Sequence, residues 1–292
     1  MAEGNLIELI KVLRDRTGAG LMDCKGALLA NDCDLDKAGD WLREKGLAKA
    51  AKKASRIAAE GLSHIKVCEK CGKTVIIEIN CETDFVAKGE AFHELVDQVA
   101  GLIMKNDIKT VEEAKAASES LFADATVKMG EKFDLRRFEV IEKGEGSIGT
   151  YIHMGGKIAV VTVLDKENDE LAKQLSMHIA ANNPSYLSEA DIPADVLEHE
   201  KNVQREAAKN DPKLAGKPEQ VLDKILDGKV KKTFAEVTLE DQAFLIDPDK
   251  TVGQLLKEKN VKVLKFIRYQ VGEGIEKRKD DFASEVMNEV NK

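Results

Sequence analysis

The sequence predicts an α+β chain made of several parts, and three observations carry the prediction. Apolar residues recur at helical spacing through residues 1–46, alternation replaces that spacing from Gly61, and a strand-turn-strand-helix pattern then occurs twice. Of the 292 residues 43% are apolar but only 4% aromatic, so helices and small sheets packed through Ala, Val, Leu and Ile are expected.

The elements follow in order. Leu6, Leu9, Ile10 and Leu13 share one helical face, and the helix ends at the turn Thr17-Gly18-Ala19-Gly20. A second helix carries Ala27, Leu28 and Leu29, and Asp34 caps a third with Leu35, Ala38 and Leu42, stopped at Gly46. The turn also presents Leu21 and Met22 beside bare glycine backbone. For these two, core packing is weighed ahead of contact with a partner. From Arg43 to Arg56 six basic residues face only Glu44 within an Ala-rich run, which predicts an exposed basic helix over 47–60. It holds no aromatic residue to stack a base, so it is read as a solvated linker rather than an RNA site.

The first lobe, 61–143, opens with strands at Gly61–Val67 and Lys73–Ile79 around a Cys68–Gly72 turn. A helix follows from about Lys88 with Phe92, Leu95, Val96, Val99 and Leu102 inward, then a helix over Ala114–Met129 and a closing strand over Phe133–Glu142. The same grammar returns over 144–183 and 233–271, with Lys157-Ile158-Ala159-Val160-Val161 lying over Lys73-Thr74-Val75-Ile76-Ile77. Extended chain is expected over Phe234–Ile246, a short helix after Thr251, and an alternating strand over Val261–Tyr269. Four prolines bracket two polar helices, Ala194–Lys209 and Glu219–Lys232, which predict an inserted helical hairpin over 184–232. Docking of that hairpin on its own lobe and pairing with a second copy both stand open, the latter making a homodimer. The tail 272–292 is read as a helical module, with a short helix from Phe282 to Val290.

Charge and motifs exclude much. With 45 basic against 53 acidic residues the net charge is −8, which argues against a general nucleic-acid surface. No apolar run approaches the roughly 20 residues that span a bilayer, so no membrane role is expected. Met1 to Asn5 lacks a signal-peptide pattern, and a cytoplasmic location is expected. The five cysteines are odd in number and are read as reduced thiols. Cys68-Glu69-Lys70-Cys71 has zinc-knuckle spacing, with His64 and Cys81 available to complete four ligands. A structural zinc usually shows two such close pairs, so the segment is read as a thiol-bearing turn and no metal is expected. Gly144-Glu145-Gly146-Ser147-Ile148-Gly149 matches GxGxxG, but a strand rather than a helix follows, so it is read as a turn. No phosphate loop occurs, and no Ser/His/Asp or Cys/His group can be assembled from the scattered histidines. Neither catalysis nor a cofactor is required.

One segment resists a purely structural reading. In Asn80-Cys81-Glu82-Thr83-Asp84-Phe85-Val86-Ala87, Thr83 and Asp84 are natural caps, and Phe85 stands at the mouth of the next helix. The ring either staples strand to helix or projects toward another protein.

Together with Arg14 to Lys25 and Thr251 to Glu258, this segment resembles the signatures of the bacterial elongation factor Ts family, in the same order along almost the whole chain. The resemblance implies a three-helix, UBA-like head, a core of two related lobes with a hairpin insertion, and a C-terminal helical module. It implies a guanine-nucleotide exchange factor, not a bond-making enzyme, that binds elongation factor Tu in its GDP-bound and nucleotide-free forms without binding nucleotide itself. Contact roles then fall on Arg14, Leu21 and Met22, and on Thr83, Asp84, Phe85 and Val86, which would disturb the partner's Mg²⁺ site. Gly130 and His153 match further contact positions. For Asp84, hydrogen bonding and repulsion of the nucleotide's phosphates both stand. The Cys68–Cys71 turn departs from the family's usual hairpin.

Overall fold

The computed structural model describes residues 3–209 and 218–276. The connection between the two hairpin helices, read at Asn210-Asp211-Pro212, and the helix expected from Phe282 to Val290 therefore lie outside the described residues. The chain divides into two compact units, the first formed by residues 1–142, 154–158 and 269–292, the second by 143–153 and 159–268.

The first unit begins with α1 (Glu3–Thr17), α2 (Leu21–Ala30) and α3 (Leu35–Lys53), packed around Ile10, Leu13, Cys24, Ala27, Leu28, Ala38 and Leu42. Gly18 leaves α1 with a φ of 68°, a conformation glycine adopts without strain. Asp34 caps α3 by accepting from the N–H groups of Asp36 and Lys37. The expected stop at Gly46 is absent, because α3 runs on to Lys53 and absorbs most of the basic run. Gly46 serves close packing instead: a Cβ there would stand 2.7 Å from the Ala123 carbonyl oxygen and from Val127 Cγ2 of α6 (Val111–Met129). The run is thus not a free linker over 47–60. Ala and Lys favour helix throughout it, and packing against α6 supplies the partner surface.

β1 (Glu60–Cys68), β2 (Lys73–Cys81) and β3 (Asp134–Glu142) form an antiparallel sheet in that order. β2, the central strand, is buried along almost its whole length. The helix expected from about Lys88 is α5 (Glu90–Asn106), with Gly89 as its N-cap, and a separate single turn, α4 (Asp84–Ala87), precedes it. Phe92, Leu95, Val96, Val99 and Ile103 of α5 complete a core with Val75, Ile77 and Ile79 of β2. A capping box of Thr110 and Glu113 starts α6. Glu78 is fully buried and accepts from Arg136 at 3.1 Å and Arg137 at 2.6 Å, while the Gly272 N–H donates to it at 2.9 Å. This carboxylate ties β2, β3 and the segment after residue 269 together.

The second unit is built on β4 (Ile148–His153), β5 (Ile158–Leu164) and β6 (Val263–Gln270), again with the return strand central. Residues 144–149 lead into β4, as a turn does, and a Cβ on Gly149 would strike the Ala172 carbonyl oxygen at 2.1 Å. Asn168 caps α7 (Asp169–Asn182). The hairpin helices are α8 (Ala194–Lys209) and α9 (Glu219–Ala235). At their base Ile192, Val230 and Phe234 pack with Tyr186, Val196, Leu197 and Val237, a small cluster of the hairpin's own helices and the chain flanking them. The extended chain expected over Phe234–Ile246 is instead the end of α9 and a 3₁₀ turn at Leu239–Asp241. Isolated bridges pair Tyr186 with Thr238 and Ala243 with Thr251. Thr251 and Gln254 form a capping box for α10 (Val252–Lys259).

Candidate functional site

The segment between β2 and α5 is held from below and bare on top. Thr83 is in extended backbone and its hydroxyl accepts from the Val86 N–H at 3.3 Å, which starts the single turn of α4. Successive helical residues are turned by about 100°, so the inward seating of Val86 and Ala87 directs Phe85 outward. Ala87 is buried and Val86 packs against the core, while Phe85 is 83% exposed. The ring projects; it is not a staple. Asp84 forms an ion pair with Lys88 at 2.6 Å, and that hydrogen bond holds its carboxyl below the usual carboxylate range.

The base of this turn is cross-braced. One carboxylate oxygen of Glu131 accepts from the N–H groups of Glu82 at 2.9 Å and Thr83 at 3.1 Å, and the other accepts from the Thr83 hydroxyl at 2.5 Å. The Glu82 carboxylate in return accepts from the Lys132 N–H at 2.7 Å and from Arg56 at 3.0 Å. Lys132 Nζ donates to the carbonyls of Ala54 and Arg56, just past α3. Three segments distant in sequence are thus locked at one point.

The Gly18 turn reaches the same place. Ala19 is buried, but Leu21 and Met22 are 52% and 73% exposed, so neither belongs to the head's core. Arg14 is exposed on α1, and its carbonyl accepts from the Gly18 N–H at 2.7 Å. The aliphatic stem of Lys128, in the last turn of α6, lies beside Gly18. Gly130 closes α6 at a φ of 74° and its carbonyl accepts from Lys53 Nζ. The end of α6 thus lies beside Gly18 through the Lys128 stem, and the Glu131 that follows it lies beneath Thr83. His153 is placed in the second unit, with its Nδ1 3.1 Å from the Tyr151 hydroxyl.

A family model described as Elongation factor TS matches residues 82–273. The chain belongs to that family. Membership gives it a nucleotide-exchange role in translation elongation, with elongation factor Tu as partner. The span matched to elongation factor Ts opens one residue before Thr83 and takes in Phe85, Gly130 and His153, whereas the Gly18 to Met22 turn precedes it. No helix among the described residues is long and apolar enough to cross a membrane.

Sequence reasoning did not single out Glu131 or Lys132, and it named Arg56 and Glu82 only as parts of the basic run and of the Asn80 to Ala87 segment, not as a pair. The pairs they form span 26 to 78 residues, and no local pattern encodes such a pairing. Cys68 and Cys71, expected as free thiols, are joined as a disulfide, while Cys24, Cys33 and Cys81 are free. Among the described residues no group of three or more His, Cys, Asp or Glu side chains is arranged to hold a metal.

Proposed function

We propose that this chain accelerates GDP release from elongation factor Tu by inserting Phe85 into the partner near its Mg²⁺ and phosphate site. The observation that carries the reading is a bare aromatic ring on a helical turn whose base is locked. Exposing such a ring forgoes about 1.5–3 kcal/mol of burial, which contact with a partner recovers. Because the turn is already ordered, little conformational entropy is lost on docking. Leu21 and Met22, also exposed, supply a second apolar contact.

The mechanism is linkage. GDP and its Mg²⁺ hold the partner's switch and phosphate-binding loops in one arrangement, and a factor that binds another arrangement better weakens the nucleotide by the same ratio. Displacing Mg²⁺ removes the largest local charge opposing the phosphates. Phe85 acts by volume. Asp84, ionised and held by Lys88, supplies negative charge beside it. No bond is made or broken, so the chain acts in the cytoplasm as a binding partner and not as an enzyme. The rival reading, an RNA-binding basic linker, is disfavoured because Lys49 and Lys53 are engaged by Asp23 and by the Gly130 carbonyl.

Release of fluorescent GDP from elongation factor Tu tests this. Substoichiometric amounts of the chain should accelerate release, and Phe85→Ala should slow release by more than it weakens complex formation. An unchanged release rate with the wild-type chain would overturn the reading.

A further inference from the structure

The tip of the β1–β2 hairpin carries chemistry that nucleotide exchange does not use. Cys68 and Cys71 close the turn as a disulfide, their Cα atoms 5.6 Å apart, with Cys71 exposed. The Cys71 N–H points at Cys68 Sγ from 3.2 Å. A cavity of about 890 Å³ opens beside the pair, between the hairpin tip and the end of α5. Four lysines, Lys66, Lys70, Lys73 and Lys105, and one acid, Glu69, line it, with Val67 and Met104 as its apolar part. Lys66 and Lys73 are held by Asp97 and Asp107, while Lys70 and Lys105 extend into solvent.

We infer that Cys68 and Cys71 form a reversible thiol–disulfide exchange site whose co-substrate is an anionic low-molecular-weight disulfide seated among these lysines. Thiolate is the reactive form of cysteine, and neighbouring cations and N–H donors favour it over the thiol. The Cys71 N–H makes Cys68 the attacking sulfur. In the reduced chain the Cys68 thiolate attacks one sulfur of the small disulfide. That S–S bond breaks, a mixed disulfide forms on Cys68, and one small thiolate leaves. The Cys71 thiol gives its proton to the departing thiolate and attacks Cys68 Sγ. The Cys68–Cys71 bond closes and the second small thiolate departs. Two protein sulfurs are oxidised by two electrons and one small disulfide is reduced to two thiols. The remaining cysteines are placed differently. Cys24 and Cys81 are buried, and burial pushes both thiols up, Cys81 to about 12, while Cys33 is half-buried against the core of the three-helix head. A disulfide in a chain of the translation machinery fits this reading, since intracellular disulfides are usually transient and redox-active.

The full-length chain, reduced and freed of reductant, is mixed with glutathione disulfide, which is anionic, or cystamine, which is cationic, and quenched by alkylation for peptide mass mapping. The Cys68–Cys71 bond should form about tenfold faster with glutathione disulfide. Lys70→Glu combined with Lys105→Glu should abolish that preference. Cys71→Ser should trap a glutathione adduct on Cys68, with Cys24 and Cys81 unmodified. Equal or faster reaction with cystamine, an adduct trapped elsewhere, or a reduced chain that keeps zinc on the pair and resists both oxidants would each overturn the inference.

Discussion

Phe85 and Phe92 are only seven positions apart and have opposite fates, which separates function from stability at the level of single residues. Phe92 is fully buried in the first unit's core and stacks on Phe133 at 5.7 Å. Its replacement by Ala should cost about 3–5 kcal/mol, read as a lower urea midpoint. Phe85→Ala removes a ring that packs on little, so the same unfolding curve should move by less than about 0.5 kcal/mol while GDP release slows. Glu131 touches no proposed partner atom, yet it satisfies two N–H groups and the hydroxyl beneath Phe85. Glu131→Ala should lower stability by about 1–3 kcal/mol and slow exchange with the aromatic ring intact. An unchanged release rate in a folded Glu131→Ala chain would remove Glu131 from the positioning of Phe85. The Phe85 motif is legible in sequence because its caps and aromatic are adjacent. Glu131 is not, because nothing near residue 131 announces a bond made 48 residues earlier.

Among the elements, α3 departs most from its local signals. A glycine followed by a lysine-rich run reads as a helix stop and a linker, and yet the helix continues, because Gly46 is where α3 meets α6. Helix propensity alone predicts that Gly46→Ala stabilises by about 1 kcal/mol. The 2.7 Å approach to the Ala123 carbonyl and Val127 predicts the opposite, a loss of about 1–3 kcal/mol, and a thermal melt of the variant decides between them. The β2–β3 pair rests on a comparable nonlocal device. Glu78, a charged residue between Ile77 and Ile79, is buried against two arginines, so Glu78→Ala should cost about 3–5 kcal/mol by leaving both cations short of their partner. The strands, the N-cap at Thr251 and α8 from Ala194 to Lys209 were legible because their determinants lie within a few residues of one another.

The whole molecule also carries a pH dependence. His178 is buried in the second unit, with Nε2 2.9 Å from Gln242 Oε1 and Nδ1 accepting from the Leu245 N–H at 3.1 Å. Desolvation lowers its pKa from an ordinary 6.5, against a smaller opposing effect of Gln242. Above 6.5 both folded and unfolded chains are neutral there and the full stability is present. As pH falls through 6.5 toward the lower folded value, only the unfolded chain takes up the proton and stability is lost. Melting at pH 7.5 and pH 5.5 should show a larger drop for the wild type than for His178→Gln. At this scale the origins of the structure separate. The sequence by itself determined the α+β class, most helices and strands, the two repeated hairpins and the elongation factor Ts signatures, because periodicity, caps and motifs act over a few residues. Only the tertiary structure decided that Phe85 and Met22 stand in solvent, that α3 crosses Gly46 and that Glu131 braces Thr83. Burial, close approach and bond partners are set by where folded segments meet, and an individual residue carries no local mark of the neighbour it will have.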